Sequence, residues 1–206
     1  MDKKYEMLKD DTIEVGIRIL HRIKALKDFN DVRKGDLGGY IEKEESLSHE
    51  GNCWIYDNAN VFNDACVSGD AKVFGNARVS GDACVSNNAR VSDNACVSGN
   101  ARVSGDAWVF GDAKVFGNAQ VFGNACVSDN AHITNINDYI VIGPIGSRDD
   151  YTTFYLTKDK EIMVSCGCFN DTIDEFIKAV NETHRDNDKY KNDYNTVSEC
   201  VKMLLK

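Results

Sequence analysis

Long apolar runs are missing from this 206-residue chain. No stretch approaches the roughly 20 residues needed to span a bilayer, which excludes a membrane helix. Met1-Asp2-Lys3-Lys4 carries no signal-peptide core, so a cytoplasmic protein of a bacterial cell is expected. Basic surplus is missing too: the formal net charge is −9, which argues against general binding to a nucleic-acid backbone but leaves room for a local anion pocket. The eight cysteines lack the tight spacing of a disulfide scaffold and read as reduced thiols. The glycine cluster Gly35-Asp36-Leu37-Gly38-Gly39 has no Lys-Ser/Thr after it, so it reads as a turn and not a phosphate loop. No cofactor and no metal site are expected.

What is present is a six-residue beat. Thirteen alanines, Ala59 to Ala131, recur every six positions; each follows Asn or Asp, and each is followed two places later by Val or Ile. Ala and Val two apart share one face of a strand, while the intervening residues face outward. The Gly/Asn/Asp pair that completes each hexad supplies a bend. A four-residue strand cannot bury its face alone, so hexads must stack on copies of themselves. Three hexads make an 18-residue triangular coil whose strands pair in parallel with the next coil about 4.8 Å away.

The 18-residue period sorts the outward residues into three faces. One carries Asn60, Arg78, Cys96, Lys114 and His132, and another carries Cys66, Cys84, Arg102 and Gln120. The third is aromatic, with Trp54, Tyr56, Phe74, Trp108 and Phe110. Cys66 and Cys84 should stack about 5 Å apart at Cα, within disulfide range. Corner ladders mix Asn with Asp, and only Asp64 over Asp82 repeats a charge between adjacent coils.

The hexad Val67-Ser68-Gly69-Asp70-Ala71-Lys72 resembles the hexapeptide-repeat, left-handed parallel β-helix family. The resemblance implies a mainly β fold: a triangular parallel β-helix of four to five coils, its left-handedness coming from the resemblance alone. Around it we expect an N-terminal β cap over 1–50, the helix proper over 51–136 and a small α+β domain over 137–206. In the cap, Ile13, Val15, Ile17 and Ile19 alternate about a turn at Gly16, and Ile41 and Leu47 form a degenerate first rung. The final domain reads β-β-β-α-α: Tyr139 to Ile142, a hairpin from Tyr151 to Cys166, a helix opened by the capping box Thr172/Glu175, and a second helix with Tyr190, Tyr194, Val197, Val201 and Leu204 on one face. The stretches Lys34 to Tyr40, Glu50 to Ala59 and Val164 to Phe169 resemble β-helix proteins of phages and prophages. That resemblance brings no activity with it and implies only a phage-type context. By analogy with that context we expect a non-enzymatic binding or scaffold protein, with a partner such as a host protein or a sequestered nucleotide-like signal, and antagonism of host defence.

Candidate sites follow, each beside its plainer reading. Well-known hexapeptide-repeat proteins are acyltransferases, trimers that bind acyl-CoA between subunits and use a histidine base; His132 alone lies in the repeat. No hexad is interrupted by a cleft-forming loop, so an ordinary exposed rung residue is the competing reading. Ser147, Arg148, Thr152 and Thr153 offer a fork of donors and hydroxyls suited to an anionic ligand; otherwise Arg148 simply pairs with Asp149 or Asp150. Cys166, Cys168 and His184 are either a thiolate site or structural thiols, the two cysteines pointing to opposite sides if the strand continues, and zinc would need Cys200 as a fourth ligand. The aromatic face is either an oligomer interface, a homotrimer by resemblance, or covered by the chain's own ends.

Overall fold

A computed structural model describes residues 3–205. Its centre is a parallel β-solenoid of about five turns, built from two-residue rungs such as Arg90–Val91 and Trp108–Val109. Each rung pairs with the rung 18 residues on: Arg90 lies beside Trp108, and Cys66 beside Cys84. The alanines and valines of the beat are sealed inside, from Ala59 to Ile133, none exposed by more than 1%. Removing this apolar surface from water is what holds the coils closed, since a two-residue rung has little else to bury.

The corners show why each hexad ends as it does. Their first residue sits at positive φ and is Gly, Asn or Asp throughout, the residue types that tolerate it. At one corner the types alternate up the stack: Asp57, Gly75, Asp93, Gly111, Asp129. Each of the lower aspartates turns its carboxylate upward to accept the amide of the glycine above, Gly75 N–H at 3.0 Å from Asp57 Oδ2 and Gly111 N–H at 3.2 Å from Asp93 Oδ2. At other corners asparagine side chains bond up the stack, Asn100 donating to Asn118 (3.1 Å) and Asn88 to Asp106 (2.9 Å). The stacked carboxylates at Asp64 and Asp82 are relieved by Lys43, which pairs with Asp64. Cys66 and Cys84, expected as reduced thiols, are joined in a disulfide with Cα atoms 4.9 Å apart, because the register stacks them directly.

The ladder has a direction. The bonds that flank each rung point to the coil above, as Cys84 N–H to Ala101 O and Ser86 N–H to Val103 O, and so do turn amides such as Asp82 N–H to Gly99 O. The parallel register of Cys84 with Arg102 and Val85 with Val103 returns one bond per rung downward. The first coil therefore exposes an excess of carbonyls and the last coil an excess of amides. The two caps match this chemically. Below, strand β1 (Tyr5–Val15) and strand β2 (Arg18–Ala25) form a hairpin, and strand β3 (Leu37–Ile41) links it to the rung Asn60–Val61. Donors from this cap reach the free carbonyls: Tyr5 Oη to Leu47 O (2.8 Å), Arg22 Nη1 to Gly38 O (2.9 Å) and Lys4 Nζ to Cys53 O (2.9 Å). Ile41 and Leu47 form the degenerate first rung, paired with Val61 and Val67 and so 20 residues, not 18, from their partners.

Above, the C-terminal unit is a four-stranded antiparallel meander with two helices. The strands are β4 (Tyr139–Ile145), β5 (Asp150–Leu156), β6 (Ile162–Cys166) and β7 (Phe169–Thr172), followed by α1 (Ile173–Thr183) and α2 (Asp188–Leu204). Strand β7 is one more than the sequence suggested, its polar residues giving no alternation to read. One face of the sheet, through Tyr139 and Tyr155, joins the solenoid core; the other, through Phe154, Leu156 and Val164, buries the helices. In α2 the expected Tyr194 and Val201 are buried, with Val197 packed against the same cluster; Ser198 joins them, and at the end of the stripe Leu205 is buried while Leu204 is 70% exposed. Thr172 accepts the Glu175 amide as an N-cap, but Glu175 pairs with Lys178 and does not close the box. No helix among the described residues is long and apolar enough to cross a membrane.

Candidate functional site

The top of the solenoid needs acceptors, and the C-terminal sheet supplies them. Thr153 Oγ1 takes the Cys126 amide (2.9 Å), and the Tyr139 hydroxyl takes that of Phe122 (3.3 Å). Asp138 takes the amides of Thr134 and Asn135 and the Thr134 hydroxyl, at 2.7, 3.0 and 2.6 Å. Burial opposes the Asp138 charge, but these bonds, with Lys160 nearby, hold its carboxyl below the usual aspartate range. Asp129, the last of the alternating corner aspartates, has no coil above and receives the Asn170 side chain instead. Thr152 and Thr153, read from sequence as ligand groups, are therefore corrected. Both are buried, and their hydroxyls serve Cys166 Sγ (3.2 Å) and the last coil.

This docking creates the cleft that the uninterrupted hexads lacked. The turn between β5 and β6 swings beside the last coil, with Thr157 bridging Ala131. It is held by Thr157 N–H to Glu161 O (3.0 Å) and Glu161 N–H to Thr157 Oγ1 (3.1 Å). Between turn and coil lies a hollow of about 410 Å³ lined by Asp112, Lys114, Asn130, His132, Lys158, Asp159 and Glu161. His132 is half-buried there, its ring edge-on to Phe116 at 4.6 Å. Among the described residues that ring contact is what orients it; no carboxylate is hydrogen-bonded to the imidazole. The imidazole nitrogens are thus free to take a proton from an incoming group, with three carboxylates and two ammonium groups around the same space. Sequence reasoning found His132 but not its surroundings, since Lys158, Asp159 and Glu161 come from a hairpin with no periodic relation to the hexads.

A second hollow, of about 270 Å³, lies on the helical side of the sheet and gathers residues that the sequence treated as two separate candidates: Ser147 and Arg148 with Cys166, Cys168 and His184. The cysteines share one side because β6 ends at Cys166 and Gly167 turns the chain at φ 61°. Arg148 lies over Gly167 and makes no ion pair with Asp149 or Asp150 among the described residues. Burial, with the Cys166 thiol beside it, pushes the Tyr194 hydroxyl up to about 12. Tyr194 stacks on His184, ring centres 5.9 Å apart, which gives that histidine a packing role. Among the described residues no cluster could hold a metal ion, and Cys200 is exposed.

The aromatic face is split. Trp54 is 1% exposed beneath Tyr5 and Phe29, and Tyr56 donates to Asp31 (3.0 Å), so the N-terminal segment covers these two. Higher up, Trp108 stays 38% exposed against Phe110, with ring centres 4.6 Å apart, and Phe74 is half-buried.

These features define a β-solenoid with a half-buried histidine in a hollow beside its last coil. Residues 95–111 match the YdcK beta solenoid repeat family. Over 52 residues the chain is 54% identical to a protein of Escherichia coli (strain K12) named "Uncharacterized acetyltransferase YdcK". That stretch takes in 25% of this chain and 16% of the relative, so the likeness is confined to part of each. It corrects one expectation from sequence: the phage-type reading of a non-enzymatic scaffold or sequestering protein gives way, because the relative that shares the repeat carries an acetyltransferase name.

Proposed function

We propose that the protein is a hexapeptide-type acyltransferase that uses an acyl-CoA donor, with His132 as general base. The supporting observation is the position of His132 in the hollow between the last coil and the β5–β6 turn, on a repeat similar to that of a protein named an acetyltransferase. The imidazole accepts the proton of an acceptor hydroxyl or amine as that group attacks the thioester carbonyl. The carbon–sulfur bond then breaks, and the proton passes to the departing thiolate.

Homologous-looking acyltransferases seat the donor between subunits of a trimer. The exposed Trp108–Phe110 pair is the surface we assign to that contact. Native mass measurement of wild type and Trp108→Ala tests it: a wild-type monomer rejects the assignment.

Acyl transfer is tested by following thiol release from acetyl-CoA with a panel of amine and hydroxyl acceptors. His132→Ala should lower turnover about 10²-fold or more, the usual worth of a positioned base. A variant as active as wild type rejects His132, and no turnover of any acyl-CoA by wild type rejects the reading as a whole.

A further inference from the structure

At the other end of the solenoid a buried amine meets a buried thiol. Cys53 occupies the alanine slot of the hexad Cys53-Trp54-Ile55, one coil below Ala71, and is fully buried. The added sulfur points to where strand β1 begins, and Lys4, 1% exposed, reaches it there. Lys4 Nζ lies 3.3 Å from Cys53 Sγ, 2.9 Å from Cys53 O and 3.3 Å from Gly51 O. No carboxylate is hydrogen-bonded to this amine among the described residues; the thiol is its single hydrogen-bonding side chain, and the Phe29 ring faces it at 5.1 Å.

We propose that Lys4 and Cys53 are a modification site at which a peroxide drives formation of a covalent sulfur–nitrogen bond, locking the N-terminal strand onto the first coil. One peroxide oxygen converts the thiol to a sulfenic acid and the other leaves as water. The Lys4 nitrogen attacks the sulfur, the sulfur–oxygen bond breaks, and the departing hydroxide takes an amine proton to leave as a second water. Sulfur is oxidised, the peroxide is reduced, and sulfur and nitrogen each lose one hydrogen.

The surroundings favour attack by the nitrogen, while burial makes the preceding oxidation of the sulfur slow. Burial lowers the Lys4 ammonium from its ordinary value, which raises the share of free amine. Burial also pushes the Cys53 thiol up, and the Lys4 charge opposes that. A hollow of about 330 Å³ is lined by Glu44, Leu47, Ser48, His49 and Glu50, part of the segment that covers the pair. The carbonyls of Ser48 and Glu50 lie 3.5 and 3.7 Å from the sulfur, so a molecule the size of a peroxide in that hollow is one layer of chain away. His49 is not a competing reactive group. One ring nitrogen accepts the Lys4 amide (3.2 Å) and the other is bonded to Glu44 (2.8 Å).

The site is independent of acyl transfer, and its test uses the whole chain. Protein is treated with graded hydrogen peroxide, remaining thiols are alkylated, and tryptic peptides are sequenced by mass spectrometry. Wild type should yield a peptide containing Lys4 joined to one containing Cys53, short of two hydrogens, uncut after Lys4 and released by a thiol reductant. The joined peptide should vanish in Cys53→Ala, which restores the hexad's own residue, and in Lys4→Arg, which keeps the charge but not the nucleophile. Thermal melts of both variants establish that they fold. Cys53 reaching sulfinic acid, or remaining fully alkylatable, while Lys4 stays free at doses that oxidise exposed Cys168 would overturn the proposal.

Discussion

The alternating corner makes a prediction that runs against ordinary propensity. Asp93 sits at φ 57° midway up the stack, with its carboxylate 3.2 Å from the Gly111 amide. Replacing it with alanine removes that bond, worth about 1 kcal/mol for a solvent-exposed carboxylate. It also places a Cβ in the left-handed region without a compensating polar side chain, for about 1 kcal/mol more. Replacing it with glycine removes the same bond but relieves the backbone. The freer unfolded chain takes some of that back, leaving a net loss of about 1 kcal/mol. Asp93→Ala should therefore be less stable than Asp93→Gly by about 1 kcal/mol, the reverse of the order found inside helices and strands. Asp93→Asn, which keeps both the acceptor and the tolerance for positive φ, should stay within about 0.5 kcal/mol of wild type. Urea unfolding followed by Trp108 fluorescence reads this locally, because the indole donates to Ser92 at 3.2 Å, next to the substituted residue. Coils on both sides keep end fraying out of the measurement. An alanine variant as stable as the glycine variant would refute the corner argument.

Two further outcomes follow from the upper cap. Thr153→Val leaves the Cys126 amide without an acceptor beneath the sheet and should cost about 1–3 kcal/mol, with faster hydrogen exchange at that amide; unchanged exchange would mean that the cap does not depend on this hydroxyl. Asp138 has a depressed carboxyl in the folded chain, so its contribution is present above the unfolded value of about 3.9 and is lost as pH falls through the folded one. Asp138→Asn should flatten that acid limb in pH-dependent melts, and an unaltered limb would assign the acid sensitivity elsewhere.

The solenoid was legible because its information is local and repeated. Ala89 and Val91 state the same geometry as Ala107 and Val109, and an 18-residue period brings Cys66 to Cys84 without further input. The caps were legible only in outline. Nothing near Thr153 announces that its hydroxyl will meet Cys126, because the polarity of the ladder is a property of the stack and of no single residue. Trp54 fitted a partner surface and a self-covered face equally well, because Phe29, which covers it, comes from a segment without periodicity. His132 was found as a residue type, whereas its hollow depends on a turn that reaches it only after the sheet has docked.

The match of donors below to acceptors above has one more implication. Stripped of its caps, the stack would offer an excess of bare carbonyls at one end and of bare amides at the other, so two molecules would match best head to tail. Such a contact does not close on itself; it repeats, and it grows a filament. Lys4, Tyr5 and Arg22 at one end, with Asp138, Tyr139 and Thr153 at the other, thus act as chain terminators for a polymer that the hexads would otherwise encode.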